Sequence, residues 1–562
     1  MNGSIAPMTH TGFKYLHAAG SNEGTYWVDH RIVPEIRGML AAQVSRAPLG
    51  GVRARYKQVV EAVARSMYED ARDARPNKQD FWPEWNECQG KSNYECWTRD
   101  AEERLCTYPL HPKVQKFFDD FVGKYGHSSI LELVGGVPIF SETLSWLSAW
   151  ISFDSPLCSG QEFSTRAVQH KDWPMAKECY VTESTLYEDC TITQTTDYGN
   201  SDVVKVEDVS FLFGGTTPVE PKKLDVQVHV IKPHPDLKAL HDDWFEVFEA
   251  EVKWWTEHFS LEANRLVLGI ADKEPFRPAL DRARWALPGT IATGVAHTSN
   301  LRERSRVIRD GSLLAQMSKC PSAEAVWSDM ATAYKEALPG LTGMGLREAV
   351  YGADSPIPGH LKSLFTDAPD GPDAEVDCTY TDGLSDVAPF KRAGEKSYAD
   401  PLANTLFRVG LAFRCSLAVA RDWHRHRTCY PWHLQVVRGD GTLDDLITRA
   451  TSKGLIQIDH HYEPKSDLAK LKVPELLQRS TRIFDAFMTV GNIVQAGLAL
   501  PLGTRVRMRG QGGLRDAVYL LHLRYGAVGA NFEYKEQARL ALDLLSPKIS
   551  DEFGEALGLN VL

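Results

Sequence analysis

Long apolar runs are missing from this chain of 562 residues: no stretch approaches the roughly 20 apolar residues that a membrane-spanning helix needs. The opening segment MNGSIAPMTH also lacks the basic start and apolar core of a secretory signal, so a cytoplasmic protein that stays off membranes is expected. Positive charge is in deficit as well. Lysine and arginine total 63 against 74 aspartates and glutamates, a formal net charge of -11, which speaks against a general nucleic-acid-binding surface and makes any basic site a local one. The 10 cysteines are scattered without a Cys-x-x-Cys pair, so reduced thiols are expected rather than a disulfide framework. Their closest group, Cys88, Cys96 and Cys106, lacks partners at ligand spacing, and no metal site is expected.

What is present is a globular composition, 43% hydrophobic and 24% charged, on a chain long enough for roughly two to four domains. Helical periodicity runs through Val59, Val63 and Met67, through 114–122 and through 144–151. Trp82, Trp85 and Trp97 mark 80–108 as an aromatic-rich insertion. Alternation between Tyr180 and Val230 reads as strands, a second insertion. A long amphipathic helix then carries Trp244, Phe248, Val252, Trp255 and Phe259, followed by Arg282-Ala283-Arg284-Trp285-Ala286-Leu287-Pro288, with Arg302 fifteen positions after Leu287. The layout recurs: Leu476, Ile483, Phe484 and Phe487 give a helix, Leu500-Pro501 follows, and Arg515 stands fifteen positions after Leu500. This ordered echo suggests an internal duplication, with the Asp-, Gly- and Pro-rich stretch 368–396 between the copies.

The stretch Phe413 to Tyr430, FRCSLAVARDWHRHRTCY, reads as an amphipathic helix with Phe413, Leu417, Ala420 and Trp423 on one stripe, Arg414 and Arg421 on its flank and Arg425-His426-Arg427 at its end. Guanidinium groups keep their charge when buried and offer a planar fork of donors, which suits a phosphate or the edge of a planar ring. Ordinary complementation of the helix dipole is the alternative reading.

Arg425-His426-Arg427 at the end of VARDWHRHR resembles the flavin-dependent thymidylate synthases, in which Arg-His-Arg is followed after seven residues by Ser, within Glu-x-Ser-x-Arg. Here that tail reads His433, Gln435 and Val437. The missing tail stands earlier, as Glu162-Phe163-Ser164-Thr165-Arg166, and there the Arg-His-Arg slot holds Asp154-Ser155-Pro156, after what reads as a helix start at Pro138-Ile139-Phe140. Upstream, Gly126-His127-Ser128-Ser129 is similar to the family's Gly-His-x-Ser/Thr segment, with Glu132 one position early, and Ala41-Ala42-Gln43-Val44-Ser45 is similar to its Ala-Ala-Arg-Val-Ser. The two sets of defects are complementary.

The resemblance implies an α+β fold in two tandem synthase-like copies, helices packed on mixed or antiparallel sheet: 1–345 with insertions at about 76–110 and 180–235, a lead-in over 346–400, and a shortened copy over 401–562. It also implies that FAD and a pyrimidine nucleoside monophosphate lie between the Arg-His-Arg of one copy and the Glu-x-Ser-x-Arg of the other, with methylenetetrahydrofolate as one-carbon donor and NADPH as reductant. A homodimer would reproduce the family's tetramer. Carried over residue by residue, the nucleotide would be held by Glu162, Ser164, Thr165, Arg166, Arg284, Arg425 and Arg524, of which Ser164, Arg425 and Arg524 would act catalytically. The flavin would be held by Ser45, His127, Ser129, Asn300, Arg302, Arg425, His426 and Arg427. The implied activity is C5 methylation or hydroxymethylation, of dUMP first. Asp422, where the family commonly has Gln, leaves dCMP open, because a carboxylate could accept from the cytosine amino group. An inactive nucleotide-binding or scaffold protein is the remaining alternative. Ser164 could merely cap a helix, Arg284 and Arg302 could be salt-bridge partners, His460-His461 is expected in a turn, and Cys429 as inert packing.

Overall fold

The computed structural model describes residues 12–19, 24–43, 51–73, 92–107, 112–120, 133, 136–155, 157–163, 173–191, 223–267, 275–337, 358–380, 407–426, 429–438, 454–526 and 531–553. In the first half, β1 (Leu16–Ala18), β2 (Thr25–Val28), α1 (Pro34–Gln43), α2 (Gly51–Asp73), α3 (Ser92–Arg104) and α4 (Pro112–Phe118) lead to β3 (Ile139–Leu144), α5 (Trp146–Ser152) and β4 (Cys158–Glu162). A hairpin of β5 (Tyr180–Thr191) and β6 (Lys223–Pro233) precedes α6 (Pro235–Ser260), α7 (Glu262–Val267), α8 (Phe276–Ala283), β7 (Thr293–Ser299), α9 (Leu301–Met317) and α10 (Pro321–Ala337). The second half runs α11 (Gly359–Lys362), β8 (Asp367–Ala368), β9 (Ala374–Tyr380), β10 (Phe407–Ser416), α12 (Leu417–His424) and β11 (His433–Val437). It ends with α13 (Asp467–Thr489), α14 (Ile493–Leu498), β12 (Arg505–Gly513), α15 (Leu514–Gly526) and α16 (Phe532–Phe553).

Two five-stranded sheets form among the described residues, ordered β1-β2-β3-β7-β4 and β8-β11-β12-β10-β9. Read from the opposite edge, the second contains β9-β10-β12-β11, the same order and connectivity as β2-β3-β7-β4, and every pair within these two quartets is antiparallel. In each half a strand enters a short helix, a strand follows, and a long helix precedes the next strand of the quartet. Those long helices, α6 and α13, meet in the middle. Leu237, Leu240, Trp244, Phe248, Trp255 and Phe259 are buried along α6 at helical spacing, and the Trp244 indole donates to Ser480 Oγ of α13 at 3.0 Å.

The two short helices begin in the same way. Ser145 caps α5 by accepting from Ser148 N at 3.1 Å, and Ser416 caps α12 by accepting from Val419 N at 3.2 Å. Each serine is gripped by a buried carboxylate: Glu178 takes the Ser145 hydroxyl at 2.8 Å, and Glu533 takes the Ser416 hydroxyl and N–H, both at 2.7 Å. Counted from these caps, Asp154 and Arg425 occupy equivalent positions, as do Glu162 and His433.

The halves share one hydrophobic core and exchange backbone hydrogen bonds where their Leu-Pro turns cross. Leu502 N donates to Leu287 O at 2.9 Å and Gly503 N to Trp285 O at 2.7 Å. Glycine is required in both turns: a Cβ on Gly289 would stand 2.2 Å from Leu500 O, and one on Gly503 2.8 Å from Trp285 O.

Several sequence expectations change. Phe413 belongs to β10 and the helix starts at Leu417, because pairing with both Ala374 and Met508 overrides the helical period. Phe413 still reaches its expected neighbour, stacking on Trp423 at 4.2 Å. Residues Ile139 and Phe140, expected to start a helix, are in β3. The stretch 346–400, expected as an irregular lead-in, supplies α11, β8 and β9, the latter two as the edge strands of the second sheet. The described part of the 80–108 insertion, including α3, is built into the fold: Glu102 is buried and accepts from the Tyr56 hydroxyl at 2.9 Å and from Lys14 N at 3.0 Å.

Replacing Gly289 by alanine should therefore lower stability by about 1–3 kcal/mol, the usual cost of overpacking a tight contact. Urea denaturation would register this as a lower midpoint, and an unchanged midpoint would mean that the turn contact carries no weight.

Candidate functional site

Where α12 of the second half meets the end of β4 of the first, charges from the two halves converge. Glu162 is buried and faces the same side of the sheet as Val295, its partner on β7. Its carboxylate accepts from Arg421 Nη2, from Arg425 Nη2 at 3.2 Å and from Thr293 Oγ1 at 3.2 Å. The two arginines are one helical turn apart, so α12 presents both on one face. Burial and the neighbouring Arg425 push the Arg421 guanidinium down to about 9, which still leaves it cationic at neutral pH.

Arg284, in the turn after α8, is fully buried and donates to Asp422 Oδ2 at 2.9 Å, with Asp281 at 3.8 Å. Burial opposes its charge, but Asp422, Tyr462 and Asp281 more than restore it. Its Nε and Nη2, the Nε of Arg425 and the neighbouring Tyr462 hydroxyl are buried without a hydrogen-bond partner. A second pair closes the second-half side: Arg524 Nε donates to His426 Nε2 at 2.7 Å, which makes that nitrogen an acceptor and the imidazole neutral. The same guanidinium lies 4.9 Å from the centroid of the Tyr534 ring, whose hydroxyl donates to Asp422 O at 3.2 Å.

Thus Glu162 and Arg284 from the first half meet Arg421, Asp422, Arg425, His426 and Arg524 from the second. Arg421, read from sequence only as flank decoration, and Thr293 are additional members; the four-residue spacing of Arg421 and Arg425 was the signal for the former. Asn300 and Arg302 are placed elsewhere. Asn300 caps α9, accepting from Glu303 N at 3.0 Å, and Arg302 is exposed in the first turn. Both follow the end of β7 at which Ser299 pairs with Cys158, away from the Val295–Glu162 register. Ser45, His127, Ser129, Ser164, Thr165, Arg166 and Arg427 lie outside the described residues. The Asp422 carboxylate, the acceptor considered for a cytosine amino group, is engaged by Arg284.

At the equivalent place on the other side the charges are reversed. Asp154 ends α5 where Arg425 ends α12, and it is bound by His360 Nε2 at 2.6 Å with His424 Nε2 at 3.9 Å. Burial pushes its carboxyl up, but the hydrogen bonds to His360 and His424 outweigh this and hold it at about 2. The His424 ring stacks on Trp150 at 3.8 Å, and His433, the counterpart of Glu162, lies beside His360 with ring centroids 5.8 Å apart.

Asp459-His460-His461 forms the expected turn, with Tyr462 N donating to Asp459 O at 2.9 Å. Asp459, His461 and Glu533 are close enough to share a cation. Asp459 is already engaged on both oxygens: Oδ2 accepts from Arg505 Nη1 at 2.8 Å and Oδ1 is paired with His461 Nδ1 at 2.6 Å. Burial lowers the His461 pKa, but the hydrogen bond to Asp459 and the field of Glu533 raise it to about 9.

Two outcomes follow from these networks. Glu162→Gln strips the buried Arg421 and the half-buried Arg425 guanidinium of their carboxylate and should cost roughly 3–5 kcal/mol, while pairing it with Arg421→Met should recover part of the loss in urea denaturation. The raised His461 pKa means that its stabilisation is complete below the ordinary value of 6.5 and is lost as the pH climbs to about 9. Melting temperatures of the wild type should fall across that window, and His461→Gln should flatten the fall; parallel curves would sink the assignment.

Neither a protein-family model nor a curated protein matches the chain, so what this interface does has to be inferred from its own chemistry.

Proposed function

We propose that the chain is a flavin-dependent enzyme that transfers a one-carbon unit to C5 of a pyrimidine nucleoside monophosphate, dUMP in first place, with methylenetetrahydrofolate as donor and NADPH as reductant. Two diverged synthase-like copies would then share a single retained site between them. The observation that carries this reading is the meeting of Glu162 with Arg425 across the halves: the resemblance requires those two residues, far apart in sequence, to face one ligand.

The chemistry of the donors supports an anionic guest. Arg284 and Arg425 keep buried N–H groups without acceptors, and a phosphate would supply the missing oxygens. In this role Arg284 and Arg425 bind and orient the nucleotide, Glu162 accepts from a ribose hydroxyl or ring N–H, and Arg524 sets the neutral form of His426. Arg425 and His426 are described residues that would also border FAD. Bound there, FAD supplies the hydride that completes the methyl group.

A second reading, a nucleotide- or flavin-binding protein without turnover, is favoured by one feature: the site is closed on itself. Glu162 is satisfied by three donors, and Asp422 already neutralises Arg284.

The visible spectrum of the purified protein tests both. The enzyme reading expects bound oxidised flavin, a spectral shift on adding dUMP, and loss of that shift in Arg425→Ala. A shift with dCMP alone would reassign the base. A protein that stays colourless after reconstitution with FAD would overturn the enzymatic reading, and one that binds flavin and dUMP but forms no product with methylenetetrahydrofolate and NADPH would leave the binding role.

A further inference from the structure

The second sheet has a hollow on the face that carries His433. A cavity of about 710 Å³ opens there, within the range of small-molecule sites and independent of the interface around Glu162. Its origin is visible in the strand pattern. On β10 the inward positions are Gly410 and Ala412, whose small side chains leave space between longer neighbours, and a Cβ on Gly410 would touch nothing closer than 3.7 Å. Register places Gly410 opposite Gln511, and Ala412 opposite Arg509.

The walls are basic beyond what the sheet needs. Arg509 pairs across to His433 on one side and to Ala412 on the other, so a cation faces a second basic group with no carboxylate directly opposite. Burial, His360 and Arg509 itself lower the His433 pKa, so the imidazole adds no negative charge to offset the Arg509 guanidinium. Arg507 stands directly opposite Arg414, and Glu375 is shared by both of them, leaving Arg507 Nε buried without an acceptor. Arg408 and Arg509 make no ion pair among the described residues. Among the described lining residues, Asp377 is the carboxylate left to set against Arg408, Arg509 and His433.

We propose that this cavity is a second anion site, distinct from the interface between the halves, which binds a phosphorylated small molecule through Arg408, Arg507 and Arg509. A polynucleotide is disfavoured by the net charge of -11. Counted from the helix caps, His433 of this cavity stands at the position of Glu162 in the first half. Divergence has thereby exchanged a carboxylate for a basic group beside a cationic wall. The inference does not rest on flavin chemistry.

Isothermal titration of the full chain with inorganic pyrophosphate is the test. Saturable binding is expected, weakened at least tenfold, or about 1.4 kcal/mol, in the Arg408→Ser/Arg509→Ser double variant. Gln511→Glu, which sets a carboxylate in the same wall, should weaken it similarly and decides the matter alone if the double variant melts early. The binding that the cavity variants weaken should persist in Arg425→Ala. Absence of saturable binding, or an affinity that responds to Arg425→Ala and not to the cavity variants, would overturn the proposal.

Discussion

The second half's charges at Arg421, Asp422 and Arg425 are aimed by one helix, α12, whose first turn is pinned by a buried carboxylate. Glu178 holds Ser145, Glu533 holds Ser416, and Glu251 holds Ser466 by accepting its N–H at 2.7 Å and its hydroxyl at 2.9 Å. Each such contact joins segments far apart in sequence and satisfies donors that a helix start otherwise leaves orphaned. Burial raises the Glu178 pKa, and it raises that of Glu533 to about 7, with Asp459 adding to the shift. Because α5 and α12 begin at fixed points, their ends deliver Asp154 and Arg425 to equivalent places. Removing a pin would turn the helix that aims the charge.

The equivalence of these places makes their difference informative. In one, a helix-end cation meets a strand carboxylate; in the other, a helix-end carboxylate meets imidazoles. Each arrangement keeps a buried charge compensated, as low dielectric surroundings demand. A single lost residue would leave its partner uncompensated, so changes at such a junction have to come in matched sets.

Much of the fold could be read in the chain. The stripe on α6 runs through Trp244, Phe248 and Trp255 at helical spacing, and the alternation of the β5–β6 hairpin is local too, which is why both were legible. Phe413 misled because its pattern fits a helix and a strand alike, and only its partners on β9 and β12 decide between them. Strands β8 and β9 were hidden by the turn-forming residues around them. In the site, Arg425 and Glu162 were legible through motif spacing, whereas the pairing of Arg284 with Asp422 was not, since nothing local in either segment announces a partner in the other half.

The crossing of the Leu-Pro turns bears on how the chain is made. During synthesis the carbonyls of Trp285 and Leu287 emerge long before Leu502 and Gly503, whose N–H groups they await. Until then those carbonyls face water at what will become the centre of the molecule, beside the apolar faces of α6 and Trp285. The centre of the molecule is therefore closed only when the residues around Leu502 and Gly503 have been added.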